Sequence, residues 1–288
     1  MTRAIAVGVD GSPASTAAVD WAAREAALRG LPLRIVHAPW WEPRDFPVVE
    51  GDDALDRAAE AVVSGARERA VDGRPELAVT TEVLTEAPVP ALLGAARGAE
   101  MLVLGSRAQG PVLGFLLGSH GQQVIAHTPR PVVSVRVPSG TAAVPGGEVV
   151  VGQQGGAEDS DPALGFAFEA AAARGATLRV VRAWSLPPFY AYPEFLRRTD
   201  EAGGLEPMER TALAEVLAPW RKRFPEVPVV EHVEIGSAGQ VLLAAAGGAA
   251  LLVVGRRARY TPTGGLIGSV AHAALHHAHC PVAVVPHA

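Results

Sequence analysis

Apolar residues run along this 288-residue chain in two rhythms. Short continuous runs include "AIAVGV" from Ala4, "MLVLG" from Met101 and "PVVSVRV" from Pro131. They lack polar alternation, which is the pattern of parallel strands covered on both faces. Longer Ala-rich stretches with helical spacing lie between them. In "SPASTAAVDWAAREAALRG" Ser12 stands at the cap, Pro13 suits the first turn and Gly30 stops the helix. The pattern predicts strands over 4–9, 32–38, 77–84, 101–105 and 131–137, with helices over 13–29, 51–71, 88–97 and 119–127. A second series predicts strands over 148–152, 177–183, 228–235, 250–255 and 281–285. Buried strands alternating with helices imply a doubly wound α/β fold.

The second series repeats the first. "GSRAQGPVLGFLLGS" (105–119) and "GRRARYTPTGGLIGS" (255–269) both read G-x-x-A, nine residues, then G-S. Laying Gly105 on Gly255 brings Gly118 onto Gly268 and Ser119 onto Ser269 without a gap. "HTPRPVVSV" (127–135) resembles "HAHCPVAVV" (277–285), and "LRIVHA" (33–38) resembles "LRVVRA" (178–183). Self-similarity on this scale predicts two copies of one unit, residues 1–138 and 148–288. The stretch 138–147, "PSGTAAVPGG", has linker chemistry. The connection after Trp184, "WSLPPFYAYPEFLRR", is Pro- and aromatic-rich and is expected to cover something.

Composition narrows the classes. Hydrophobic residues at 49% and charged residues at 19% describe a globular chain, and the length allows two domains of roughly 150 residues each. A net charge of -5 argues against a dedicated nucleic-acid surface. No apolar run approaches the roughly 20 residues of a membrane span, and the opening "MTRAIAVGVDGS" lacks signal-peptide features. The single cysteine, Cys280, suits a reducing cytoplasm and is expected to pack rather than react.

In an open parallel sheet, ligands bind beyond the carboxyl ends of the strands where strand order reverses. Two pieces of each copy meet there: the end of the first strand and the Gly-rich loop after the fourth. In the first copy Asp10 is placed to accept from ribose hydroxyls. Gly118 and Ser119 open a helix whose amides and dipole suit a phosphate, and Gly110 and Gly114 let the loop wrap it. Ser119 also has a plain reading as a helix cap. The conjunction is what points to a nucleotide: Asp after strand one, the loop after strand four, and Gly-Ser at a helix start.

These residues, in this order and twice, resemble the universal stress protein family, whose motif is G-x2-G-x9-G-[ST] after a first strand ending in Asp. The resemblance covers essentially the whole chain as a tandem. It implies two Rossmann-like domains of the adenine nucleotide α-hydrolase-like type, each a five-stranded parallel sheet of order 3-2-1-4-5. It also implies an adenine nucleotide as ligand, ATP with or without Mg2+, as in the family's ATP-binding branch. Carried over, Gly8, Val9 and Asp10 face adenine and ribose, and Ala38 offers backbone to the adenine edge. Gly105, Arg107, Ala108, Gly110, Gly118, Ser119 and His120 line the phosphates. The second copy has Gly152, Gly255, Arg257, Gly268, Ser269 and Val270 at corresponding positions. The resemblance further implies that the final strands, 131–137 and 281–285, join the halves as an intrachain pseudo-dimer, with a homodimer also open.

The chain departs from the family at Ala108 and Ala258, where the motif has its second Gly. A left-handed backbone there would cost Ala roughly 1–2 kcal/mol. "GQQGG", with Gln154, replaces the Asp-Gly-Ser that follows strand one, and "ARYTP" replaces "AQGPV". Tyr260 and Pro262 should stiffen the second loop, while Arg256, Arg257 and Arg259 should attract phosphate. The two copies are therefore expected to differ, with the tight site in the first.

Other constellations carry less. His272, His276, His277 and His279 crowd one helix end, and the first two share a face, but a solvated helix end is favoured over a metal site. The tryptophans Trp21, Trp40, Trp41, Trp184 and Trp220 read as core or loop cover. Lys222, the one lysine, lies near neither glycine loop, so there is no P-loop, and no Ser-His-Asp set is evident. The expected function is a cytoplasmic stress-response protein that acts by nucleotide-dependent binding. A slow ATPase or nucleotide-transfer enzyme and a partner-binding scaffold without nucleotide are the alternatives.

Overall fold

In the computed structural model the first apolar run forms strand β1 (Ile5–Val9), and Ser12 caps the helix that follows, α1 (Pro13–Arg29). Ser12 Oγ accepts from Ser15 N at 3.3 Å, and Gly30 ends the helix in the left-handed region at φ 62°. The structure describes residues 3–39, 52–108, 115–116, 119–137, 147–185, 205–257, 260–261, 264–265 and 267–287. The chain divides into two units, Met1–Ala142 with Ala258–Ile267, and Ala143–Arg257 with Gly268–Ala288.

The first unit continues with β2 (Leu33–His37), α2 (Asp52–Val71), β3 (Val79–Val83), α3 (Pro88–Arg97), β4 (Met101–Ala108), β5 (Phe115–Leu116), α4 (Ser119–His127) and β6 (Val132–Arg136). Its five long strands are parallel and ordered β3-β2-β1-β4-β6, the expected 3-2-1-4-5. The short β5 is additional. It pairs antiparallel with the end of β4, Arg107 opposite Leu116 and Ala108 opposite Phe115. Ala108 thus sits in extended strand pairing, and the backbone penalty considered for it does not arise. A two-residue strand is too short to leave a period in the sequence. Ile5, Leu33, Ile35, Met101 and Leu102 are fully buried.

The second unit contains β7 (Val149–Gly152), α5 (Ala157–Arg174), β8 (Leu178–Trp184), α6 (Leu205–Arg223), β9 (Val229–Ile235), α7 (Ala238–Ala245) and β10 (Leu251–Arg257). The hairpin of β11 (Tyr260–Thr261) and β12 (Gly264–Gly265) comes next and is grouped with the first unit. Then α8 (Ser269–His277) and β13 (Val282–His287) close the second unit. Its sheet repeats the same order read the other way, β13-β10-β7-β8-β9, all parallel. Phe168 is fully buried and stacks against Trp220 and Phe224 with ring centres 5.7 and 5.5 Å apart. Trp21 is buried in the core, Trp220 is half-buried against Phe168, and Cys280 is buried. Trp40, Trp41 and most of the stretches 138–147 and 184–205 lie outside the described residues. Among the described residues no helix is long and apolar enough to cross a membrane.

Candidate functional site

In the first unit β1 pairs with β2 on one side and β4 on the other, so strand order reverses between β1 and β4. The crevice beyond the carboxyl ends at such a reversal is where open α/β sheets receive ligands. Val9, at the end of β1, is buried, and Asp10 and Gly11 beyond it are exposed. Gly11 has φ 76°, which glycine adopts without a steric penalty. The resulting turn lets Ser12 N donate to Asp10 Oδ1 at 3.0 Å. This Asx-type turn holds the carboxylate at the strand end, facing solvent. His37, the last residue of β2, donates from Nδ1 to Val9 O at 2.7 Å, and half-buried Ala38 follows it. His37 was absent from the expected set; its one sequence signal is its place at the end of the second strand.

Two of the glycines expected at this site, Gly8 and Gly105, are occupied with packing. A Cβ at Gly8 would lie 2.8 Å from Leu104 Cδ2 and 3.0 Å from Leu92 Cδ2. A Cβ at Gly105 would lie 2.4 Å from both the carbonyl carbon and oxygen of Ala14, and 2.7 Å from Ser15 N. The first turn of α1 therefore rests directly on β4, a spacing only glycine permits. Ser106, the next residue, is fully buried, and its hydroxyl has no hydrogen-bond partner among the described residues. Such a group costs about 1–3 kcal/mol until something satisfies it. Arg107 and Ala108 lie on the β4 extension. Gly110, Gly114 and Gly118 lie outside the described residues. Ser119 and His120 are exposed at the start of α4, where the amides have no partner within the helix.

The second unit has the same reversal between β7 and β10 but a different rim. Gln153 stands in place of Val9, Gln154 in place of Asp10 and Arg182 in place of His37. Arg182 Nη1 donates to Gln153 Oε1 at 2.6 Å and to Gly155 O at 3.1 Å, while its Nε donates to Glu209 Oε2 at 2.6 Å. Gln153 Nε2 donates to Gly155 O at 2.9 Å, and the residue is 4% exposed. A guanidinium clasp thus ties the ends of β7 and β8 to α6. Gln154, in the position of Asp10, is exposed. A Cβ at Gly152 would meet Leu242 Cδ2 at 3.2 Å. Among the described residues, the nearest atoms to a Cβ at Gly255 are His287 Cδ2 and Nε2, both 3.1 Å away and both in a side chain. Arg257 is exposed at the end of β10. Gly268 caps α8 through an extended backbone (φ -60°, ψ 156°), with Ser269 exposed and Val270 half-buried in the first turn.

Comparison with known proteins gives a consistent result. The model of the "Universal stress protein family" matches residues 1–136 and again 148–286. A universal stress protein of Mycobacterium tuberculosis is 34% identical over 290 residues, spanning 97% of this chain and 96% of its own length. Among solved structures, a universal stress protein from Archaeoglobus fulgidus superposes with a TM-score of 0.71 at 17% identity, over 99% of this chain and 98% of its own. A further universal stress protein from that organism, solved in complex with dAMP, aligns with 46% of this chain and 96% of its own at 23% identity, with a TM-score of 0.35.

Proposed function

The chain belongs to the universal stress protein family, with two tandem family segments, and on that premise we propose that it binds ATP or a related adenine nucleotide in its first unit and acts by that binding rather than by turnover. The observation that carries this reading is the rim of the β1–β4 crevice. There an exposed carboxylate, Asp10, is held at the strand end by its own turn. A carboxylate so placed accepts from ribose hydroxyls with the strength of a charge-assisted bond. The exposed start of α4 at Ser119 and His120 suits the phosphates. Nucleotide binding then biases a conformation or a partner surface of a cytoplasmic stress-response protein.

The second unit does not share this role. Arg182 and Gln153 are bonded to each other at the strand ends, where the first unit has His37 bonded to the Val9 carbonyl, and we assign the weak or closed site to that clasp. Titration of the full chain with ATP at moderate salt is expected to give about one tight equivalent. Asp10→Ala should remove that phase, and Gln154→Ala should leave it nearly unchanged. Ser119→Ala should weaken ATP more than adenosine by roughly tenfold or more, since a hydrogen bond to a charged group is worth about 1.5–3 kcal/mol. Two equivalent tight sites, or a tight phase that survives Asp10→Ala, would refute the assignment.

We also take the final strands, 131–137 and 281–285, to join the halves as the family resemblance implies. A fragment of residues 1–139 would then expose an unpaired strand edge and self-associate. A folded fragment that sediments as a strict monomer counts against this pairing.

A further inference from the structure

The histidines of α8 play no part in the function proposed above. His272 and His276 are four residues apart on one helix and so share a face. Their rings stack, with centres 4.2 Å apart and planes inclined by 29°. His272 is exposed and His276 half-buried. His277 is turned away, its ring centre 6.3 Å from that of His276 and tilted by 51°. The first copy has Gln122 and Ala126 at the positions of His272 and His276, so the pair belongs to the second copy alone.

We propose that His272 and His276 form a two-nitrogen chelate for a tetragonal divalent transition metal, Cu2+ or Ni2+. Spacing alone favours a solvated helix end; the ring separation is what changes that reading. With metal–nitrogen bonds of about 2 Å, each imidazole centre lies about 3.2 Å from a bound metal. Two ligands at 90° then have ring centres about 4.5 Å apart, whereas a tetrahedral angle spreads them to about 5.2 Å. The observed 4.2 Å is close to the first value and well short of the second. The rings must turn out of their stack to aim both nitrogens at one point. That motion is about the terminal torsion, which is soft, and one of the two rings is exposed. Among the described residues no group of three or more His, Cys, Asp or Glu side chains could hold a metal.

The test uses the full chain without nucleotide, so its outcome is independent of the ATP reading. Cu2+ is added against a competing weak chelator, and binding is followed by calorimetry and by electron paramagnetic resonance. One equivalent should bind with a tetragonal spectrum split by two nitrogens. His272→Gln and His276→Ala, which install the residues of the first copy, should each weaken Cu2+ roughly a hundredfold or more, because the second imidazole then no longer binds intramolecularly. His277→Ala and His279→Ala should retain the parent affinity. Circular dichroism on each variant separates loss of a ligand from loss of α8. Undiminished Cu2+ affinity in folded His272→Gln overturns the chelate, and Zn2+ binding more tightly than Ni2+ overturns its geometry.

Discussion

Gly105→Ala is expected to destabilise the first unit by about 3 kcal/mol, while Gly255→Ala, the same change at the matching motif position, costs under about 1 kcal/mol. The added methyl at Gly105 would sit 2.4 Å from the Ala14 carbonyl carbon and oxygen. Those are backbone atoms in the first turn of a capped helix, fixed by Ser12 and the bonds it makes. No rotamer change relieves the overlap; α1 must lift from β4. Lifting it breaks the burial of Ala14, Ala18 and Ala22. At Gly255 the neighbour is the ring of His287 at 3.1 Å, and a side chain can move aside. Calorimetry of the two variants decides the matter. For a domain of this size the Gly105 variant should lose about 6–12 °C from the transition of its unit, at roughly 2–4 °C per kcal/mol. Equal shifts in the two variants would mean that the helix–strand approach is not what fixes glycine at the head of the first motif.

The second large effect concerns ligand stoichiometry. The triple variant Gln153→Val, Gln154→Asp, Arg182→His copies Val9, Asp10 and His37 into the second unit and is expected to raise tight ATP binding from about one to about two equivalents per chain. Gln154→Asp alone should leave the stoichiometry near one. The reason is the clasp: Arg182 is held at once by Gln153 Oε1, Gly155 O and Glu209 Oε2. Displacing it for a ligand would strand hydrogen-bonded groups, at about 1–3 kcal/mol for each one left buried. Removing Gln153 together with Arg182 leaves Gly155 O and Glu209 behind; Gly155 is exposed and the Glu209 side chain is 30% exposed, so both can hydrate. If Gln154→Asp alone creates the second site, the missing carboxylate and not the clasp is what silences the second unit. If the first unit binds and the triple variant still takes one equivalent, the clasp has no part in it.

Much of the architecture was legible in the chain. Unbroken apolar runs specify strands buried on both faces, and Ser12, Pro13 and Gly30 mark a helix at both ends because capping is local chemistry. The repeat followed from residue identity at fixed spacing, and the strand order from family resemblance. Local rules do not report which atoms a fold brings together across long separations. Gly105 and Gly255 are interchangeable in the motif, yet one lies against helix backbone and the other against a side chain. Ala108 looked strained until β5 paired with it. Gln153, Arg182 and Glu209 are scattered along the sequence and become one network only when β7, β8 and α6 are assembled. The spacing of His272 and His276 put them on one face, but only the folded helix set their rings 4.2 Å apart. Secondary structure and repeat follow from short-range sterics and hydrogen bonding, which sequence carries directly. The different side-chain networks at the strand ends of the two units depend on packing distances and side-chain directions, which tertiary structure alone decides.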